Sequence, residues 1–372
     1  MTNERLRIAV IAHLRHPIAA PFMGGMEAHC DLLVRALVDA GHDVTLFASG
    51  DSASDLPLHP IAPRAYEADL PWALWHGRPE LRRWLFGAYA RCRDAVRGGG
   101  FDIVHNNSLF PELHDWAAQD GTPMVTSLHV PPFRFLREAI ERAAVPWIRH
   151  TVPSASQLAL WPGIDRDRLD VAWNGIDLSR WRFRERGNGR AVWFGRITPN
   201  KGTLAALHAA SAAGVALDVI GPVECSDYFA EVAPLIAGEH RYLGQLSGDA
   251  LAHAVGAASV LLATPMWDEP FGLTVAEAMA CGVPVAALDR GAMREVIGDT
   301  GAIATDTAAL PGAIARAMHA DRAAARARVA ALFTAGAMVA RYRTAYAAAI
   351  AGAADRAAAR SSNIRSTAAL LA

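Results

Sequence analysis

Lysine is nearly missing from this chain. Of its 36 basic residues, 35 are arginine and one is lysine, Lys201. Cysteine is scarce too: Cys30, Cys92, Cys225 and Cys281 stand far apart with no CxxC pair. That spacing excludes a disulfide framework and a metal knuckle, and it fits reduced thiols. No run reaches the roughly 20 uncharged apolar residues of a membrane-spanning helix. The nearest, Leu251 to Met266, is Ala-rich, contains His253 and reads as buried core. Residues 1–13, MTNERLRIAVIAH, lack a signal peptide's long apolar stretch, so a cytoplasmic protein is expected. Net charge is also lacking. At −1, it excludes a generally basic nucleic-acid binder and an acidic solvating tail.

What remains is the balance of a folded protein, 52% hydrophobic and 20% charged over 372 residues, enough for two domains. The apolar pattern alternates strand and helix, twice over. RIAVIA at 7–12 reads as a buried parallel strand, and Met26 to Ala40 as a helix with Gly41 behind it. DVTLFA at 43–48, Asp102 to His105, Met124 to His129, Thr151 to Ser154 and Val171 to Ile176 continue the strand series. Pro79 to Arg97 is an amphipathic helix stopped by Gly98 to Gly100. WRFRERGNGR at 181–190 breaks the rhythm and is expected to be a domain linker. Strands then restart at Ala191, Leu217, Tyr242, Ser259, Pro284 and Ala302, with helices between. The fold class is therefore α/β, two Rossmann-like doubly wound domains facing across a cleft. Ligands of such sheets sit at the carboxyl ends of strands, near helix N-termini.

Four clusters fall there. GGME at 24–27 lets backbone amides approach an anion; the plain reading is an ordinary Gly-rich turn. FGRITPNKG at 194–202 brackets a helix start with Arg196 and Lys201, a good diphosphate site. The lone lysine argues against two merely solvated cations, because a compact ammonium is poorly replaced by a guanidinium. TPMWDEPFGLTVAEAMACG at 264–282 places Glu269 and Glu277 eight residues apart, at most about 12 Å along a helix. That exceeds the roughly 5 Å or 6.5–9.5 Å of paired glycosidase carboxylates. The two acids better fit opposite ends of one long ligand, such as a sugar nucleotide, with the amides of Gly272 to Thr274 between them. The fourth cluster is TSLHVPP at 126–132, where His129 ends a strand and can bond a sugar hydroxyl or stabilise developing charge. With 14 histidines in the chain a structural role competes, and His105 is a weaker candidate of the same kind. Asp165 and Asp167 form a DxD, but among arginines they read as a solvated turn.

Taken together, GGME at 24–27, NGID at 174–177, FGRITPNKG at 194–202 and EPFGLTVAEAMACGVPV at 269–285 resemble the family 4 retaining glycosyltransferases, which have the GT-B fold. The last segment resembles the family's E-x₇-E element. The resemblance reaches to about residue 345. It implies an acceptor-side domain over 1–180, a nucleotide-sugar domain over 181–332, a helix over 333–350 returning to the first domain, and a tail over 351–372. It implies that Gly24 and Gly25 line the donor diphosphate and that Arg196 and Lys201 neutralise it as it leaves. Glu269 would hold donor-sugar hydroxyls. Phe271, Gly272, Leu273 and Thr274 would offer backbone amides, and Glu277 would bind the ribose. His129 would meet the sugar near the reacting carbon, and backbone around Gly244 and Leu246 would meet the base. The implied reaction is metal-independent transfer of a hexose-type sugar, UDP-linked by family frequency, with retention. No cofactor is implied, and the acceptor (a saccharide, a lipid-linked compound or a small molecule) stays open. Trp267-Asp268 departs from the small or polar residues usual before the first glutamate.

Two further classes remain: a sugar-nucleotide epimerase of this fold, and a catalytically silent sugar-nucleotide binder. A Rossmann dehydrogenase is disfavoured, since no G-x-G-x-x-G follows the first strand. The Pro79 helix carries Leu81, Trp84, Leu85, Ala88 and Cys92 on one face and Arg78, Arg82, Arg83, Arg93 and Arg97 elsewhere. Such a helix can dock on an anionic inner-membrane face. The ordinary alternative, a helix packed on its sheet, is the favoured one.

Overall fold

The computed structural model describes residues 5–371, with side chains through 358. Among these residues, thirteen strands form two wholly parallel sheets. The first contains β1 (Arg7–Ile11), β2 (Asp43–Ser49), β3 (Leu58–Ala62), β4 (Ile103–Asn106), β5 (Met124–Ser127), β6 (Ile148–Val152) and β7 (Leu169–Val171), in the order 3-2-1-4-5-6-7. The second contains β8 (Ala191–Phe194), β9 (Leu217–Ile220), β10 (Arg241–Tyr242), β11 (Val260–Ala263), β12 (Val285–Leu288) and β13 (Ala302–Ala304), in the order 10-9-8-11-12-13. Central strands β8, β11 and β12 are buried along their whole length and read as unbroken apolar runs, while β4 and β5 are equally buried but end in polar pairs.

In each sheet the first strand lies inside, and the chain direction of building reverses beside it. Ile8 faces Val44 on one side and Ile103 on the other; Ala191 faces Leu217 and Val260. The loops leaving β1 and β4, and those leaving β8 and β11, therefore diverge at two switch points, where an open α/β sheet leaves room for a ligand.

Several elements escaped the sequence. β3 contains Pro60, which demotes a strand pattern, but β3 is an edge strand and the proline costs no ladder bond there. The helices Glu112–Asp120 and Arg134–Arg142 were also not expected. The helix expected from Phe271 begins at Leu273, because Gly272 adopts φ +86° and cannot extend it.

The helix Ala335–Leu371 leaves the second sheet and packs on the first. Met338, Val339, Tyr342, Ala345, Tyr346 and Ala349 share a core with Ile8, Val10, Leu33, Leu46 and Val125. There is no break at 350, where a tail was expected. Gly352 lies against the Pro146 backbone, and the Arg356 guanidinium sits 4.3 Å from the centre of the Trp147 ring. The side chains of 359–372 lie outside the described residues.

The helix Pro79–Gly99, ended by left-handed Gly100, turns its apolar face inward: Leu81, Ala88, Tyr89 and Cys92 are buried in the first sheet's core. Of its arginines, Arg82 pairs with Glu112, Arg83 with Glu80 and Arg93 with Asp120. The structure thus has the packed helix, and that face is not open to a lipid surface. No helix among the described residues is long and apolar enough to cross a membrane.

Candidate functional site

A cleft of about 310 Å³ opens between the carboxyl ends of the two sheets. Its walls include Gly24, Gly25 and His129 from the first half and Arg196, Lys201, Leu246, Glu269, Phe271, Gly272, Leu273, Thr274 and Glu277 from the second. Gly244 is not on the wall. Its carbonyl accepts the Gly221 N–H at 2.9 Å, one layer behind, while Gln245, Leu246 and Ser247 reach the cleft. His105 is also elsewhere, wholly buried between Tyr346 and Ser127. Asp165 pairs with Arg168 in an exposed turn, away from the cleft. Among the described residues no three His, Cys, Asp or Glu side chains group as a metal-ion site.

Gly25 faces the opposite domain closely: a Cβ there would stand 3.0 Å from Cδ1 of Leu273. At Gly24 a Cβ would meet the Glu27 carboxylate at 3.1 Å and the Arg196 guanidinium at 3.8 Å. The two glycines therefore bring bare backbone against the first turn of the helix Leu273–Ala280. The Leu273 and Thr274 amides have no acceptor inside the helix and lie at its positive end, whereas the Val275 N–H already bonds the Gly272 carbonyl at 3.0 Å. Glu27 is buried behind this loop, and burial raises its carboxyl above the ordinary range. Phe271 turns its ring into the core against Phe333, which leaves only its backbone for the cleft.

Lys201 Nζ donates to Glu269 Oε2 at 2.7 Å. The same oxygen accepts the Trp267 indole N–H at 2.9 Å, and the ammonium lies 5.3 Å from the Trp267 ring centre. Trp267, the residue that departs from the family pattern, thus braces the one lysine and the first glutamate together. Glu269 is also fixed from behind. Its carbonyl accepts the Ala292 N–H, and a Cβ on Gly291 would stand 2.3 Å from that oxygen.

Glu277 has different surroundings. Its carboxyl is enclosed by protein at the cleft wall although the residue keeps some solvent contact, and burial pushes it up to about 7 against the opposing pull of Arg180. Nearby Arg180 Nε and the buried Asn174 Oδ1 have no hydrogen-bond partner among the described residues. Both line the cleft. Asn174 lies in the NGID segment, but neither spacing nor composition marks it or Arg180 as a site residue.

His129 Nε2 lies 3.1 Å from Asn107 Oδ1, and its ring packs edge-on against His29 at 4.3 Å. With the Asn107 carbonyl as acceptor, Nε2 carries the proton and Nδ1 is left to accept. Burial lowers the imidazole to about 4, so it is neutral near pH 7. It can bond a hydroxyl; it does not supply a positive charge.

Arg196 is engaged as well: its Nη1 donates to Glu224 Oε2 at 2.5 Å. Glu224 came from no sequence motif.

A family model described as Glycosyltransferase Family 4 matches residues 23–180. One described as Glycosyl transferases group 1 matches residues 188–320. Over 339 residues the chain is 28% identical to the D-inositol 3-phosphate glycosyltransferase of Mycolicibacterium smegmatis, covering 79% of this chain and 78% of that one. Its fold is similar to a glycosyltransferase involved in avilamycin A biosynthesis (TM-score 0.71, 20% identity, 93% of this chain and 98% of that). It is similar also to HepE of Anabaena in complex with UDP and glucose (TM-score 0.69, 15% identity, 91% and 99%). Two matched halves, each on its own parallel sheet with a cleft between them, make this chain a glycosyltransferase of GT-B fold, and it belongs to family 4.

Proposed function

We propose that this enzyme transfers a hexose-type sugar from UDP to a hydroxyl acceptor, with retention of anomeric configuration and without a divalent metal. One observation carries the reading: Arg196, Lys201 and the first turn of the helix Leu273–Ala280 converge on a cleft whose wall also holds Glu269 and Glu277. Two cations and a helix N-terminus suit a diphosphate, and the carboxylates suit hydroxyls on either side of it. UDP is favoured by family frequency and by the bound ligands named for HepE.

In this reading the bond between the anomeric carbon and the diphosphate oxygen breaks. Negative charge grows on the leaving group while positive charge grows on the sugar. Arg196, Lys201 and the helix amides neutralise the former, the type of contribution that is usually largest. The acceptor oxygen attacks from the face the diphosphate leaves, and its proton passes to a departing phosphate oxygen. Glu269 holds sugar hydroxyls, Glu277 the ribose, and neutral His129 accepts from a hydroxyl near the reacting carbon.

The test is to incubate the protein with UDP-, GDP- and ADP-glucose in EDTA, with and without an acceptor panel that includes inositol 3-phosphate. Release of UDP and a product of unchanged anomeric configuration by NMR are expected. Conversion of the donor sugar without any acceptor would establish an epimerase instead. Binding with no turnover across the panel would favour a silent binder, and a strict need for Mg²⁺ would overturn the metal-free mechanism.

A further inference from the structure

Arg196 is not waiting free for a diphosphate; it is already bound to a carboxylate that ties the two domains together. Glu224 Oε2 takes Arg196 at 2.5 Å, and its Oε1 takes Arg15 from the first domain at 3.4 Å. Arg15 is held on its far side by Glu67 at 2.9 Å and lies 5.8 Å from the Trp72 ring centre. Arg196, Glu224 and Arg15 are each between a fifth and a third exposed, so solvent only partly screens them.

The chain builds this contact deliberately close. Glu224 ends the turn Gly221–Pro222–Val223–Glu224 after β9, and Arg196 follows β8, the neighbouring strand. The two loops stay zipped past the sheet: Ile197 N–H donates to Pro222 O at 2.9 Å, and Ile197 bridges Val223. Gly221 (φ +142°) lets them meet, since a Cβ there would lie 1.8 Å from the Gly195 carbonyl oxygen. Glu224 is thereby delivered beside Arg196.

We propose that Glu224 is a positioning residue: it parks Arg196 in the empty cleft, yields it to the donor diphosphate, and reclaims it as the product diphosphate leaves. A diphosphate offers more negative charge than one carboxylate and outcompetes it for the guanidinium. Arg15 stays behind to neutralise Glu224 when Arg196 swings away. This inference rests on the reading of Arg196 as a diphosphate ligand.

The test is calorimetric binding of UDP, GDP and ADP to the full chain at low and high salt, in wild type, Glu224→Gln and Arg15→Gln. With the competing charge gone, Glu224→Gln is expected to bind the preferred nucleoside diphosphate about three- to tenfold more tightly. Product inhibition should strengthen by the same factor, and both gains should shrink in salt. In an Arg196→Gln background the gain should vanish. Arg15→Gln should bind more weakly than wild type, because Glu224 then belongs to Arg196 alone. A residue that merely supported the fold would shift both variants the same way. If wild type binds a nucleoside diphosphate and Glu224→Gln binds it no better, the inference is overturned. If wild type binds none, the diphosphate reading fails and this inference falls with it. If Glu224→Gln does not fold, Arg15→Gln decides: affinity equal to or above wild type refutes the proposal.

Discussion

Replacing Glu277 with glutamine should make the protein more stable and worse at its work. Burial raises this carboxyl to about 7 from an ordinary 4.5, so the folded state holds its proton more tightly than the unfolded chain does. Between about pH 4.5 and 7 the folded state therefore binds more protons, and stability falls as pH rises through that window. Above about pH 7 the cost of the buried charge is fully present. A shift of this size corresponds to about 3 kcal/mol, an upper bound because the cleft admits some water. Glu277→Gln removes that cost while keeping the shape, so its melting temperature should exceed wild type at pH 8. The gain should fade toward pH 5. Ribose hydroxyls donate to a carboxylate for about 1.5–3 kcal/mol and to a neutral amide for about 0.5–1.5 kcal/mol, a difference of about 1–1.5 kcal/mol per bond. Nucleotide affinity should thus fall roughly 5- to 10-fold. Binding by wild type near pH 6.5 should also expel a proton, visible as a calorimetric enthalpy that depends on the buffer's ionisation heat, and the variant should lose that dependence. Paired thermal scans and titrations at pH 5 and pH 8 decide the matter. A variant less stable than wild type at pH 8, or one with unchanged nucleotide affinity, would refute the assignment of Glu277 as a charged ribose ligand in a desolvated seat.

Lys201→Ala should cost on the order of 10²-fold or more in kcat, as loss of one charge-stabilising donor does. Its ion pair with Glu269 is mostly shielded from solvent, the two side chains 25% and 14% exposed, so steady-state kinetics beside a melting curve separates lost turnover from lost stability, and near-normal turnover would remove Lys201 from the mechanism. His129, held near 4 by burial, should leave no inflection in the rate between pH 5.5 and 8; a step in that interval lost in His129→Asn would show that it titrates in the mechanism after all. Gly221→Ala should destabilise by the order of 3 kcal/mol, since its Cβ would collide with the Gly195 carbonyl at 1.8 Å in a backbone conformation alanine avoids. A melting temperature within a degree of wild type would contradict that packing.

The repeating strand and helix pattern, and hence two parallel sheets, was legible in the sequence because buried parallel strands are largely apolar and their helices keep a 3.6-residue period. The clusters holding Arg196, Lys201, Glu269 and Glu277 were legible for a related reason: each follows a strand directly, and the fold puts sites there. Other elements had signals too weak or misleading. Pro60 weakens the strand pattern of β3, which only its place at the sheet edge makes tolerable. Residues 351–371 lacked an apolar stripe yet extend the last helix. Gly244 sits next to cleft residues in sequence but faces the layer behind them.

What only the tertiary structure decided is who partners whom. Arg15 and Glu224 are 209 residues apart, and Lys201 and Glu269 are 68 apart. Periodicity reports which face of an element is buried; it carries no record of which loop from the other sheet arrives opposite. The order 3-2-1-4 in one sheet and its counterpart in the other bring the loops after β1, β8, β9 and β11 to one cleft. The resulting contacts set the protonation of Glu277 and His129 and the occupation of both candidate diphosphate cations. The residue types were chosen along the chain, but their charges and bonds were settled by desolvation and distance, which exist only after folding.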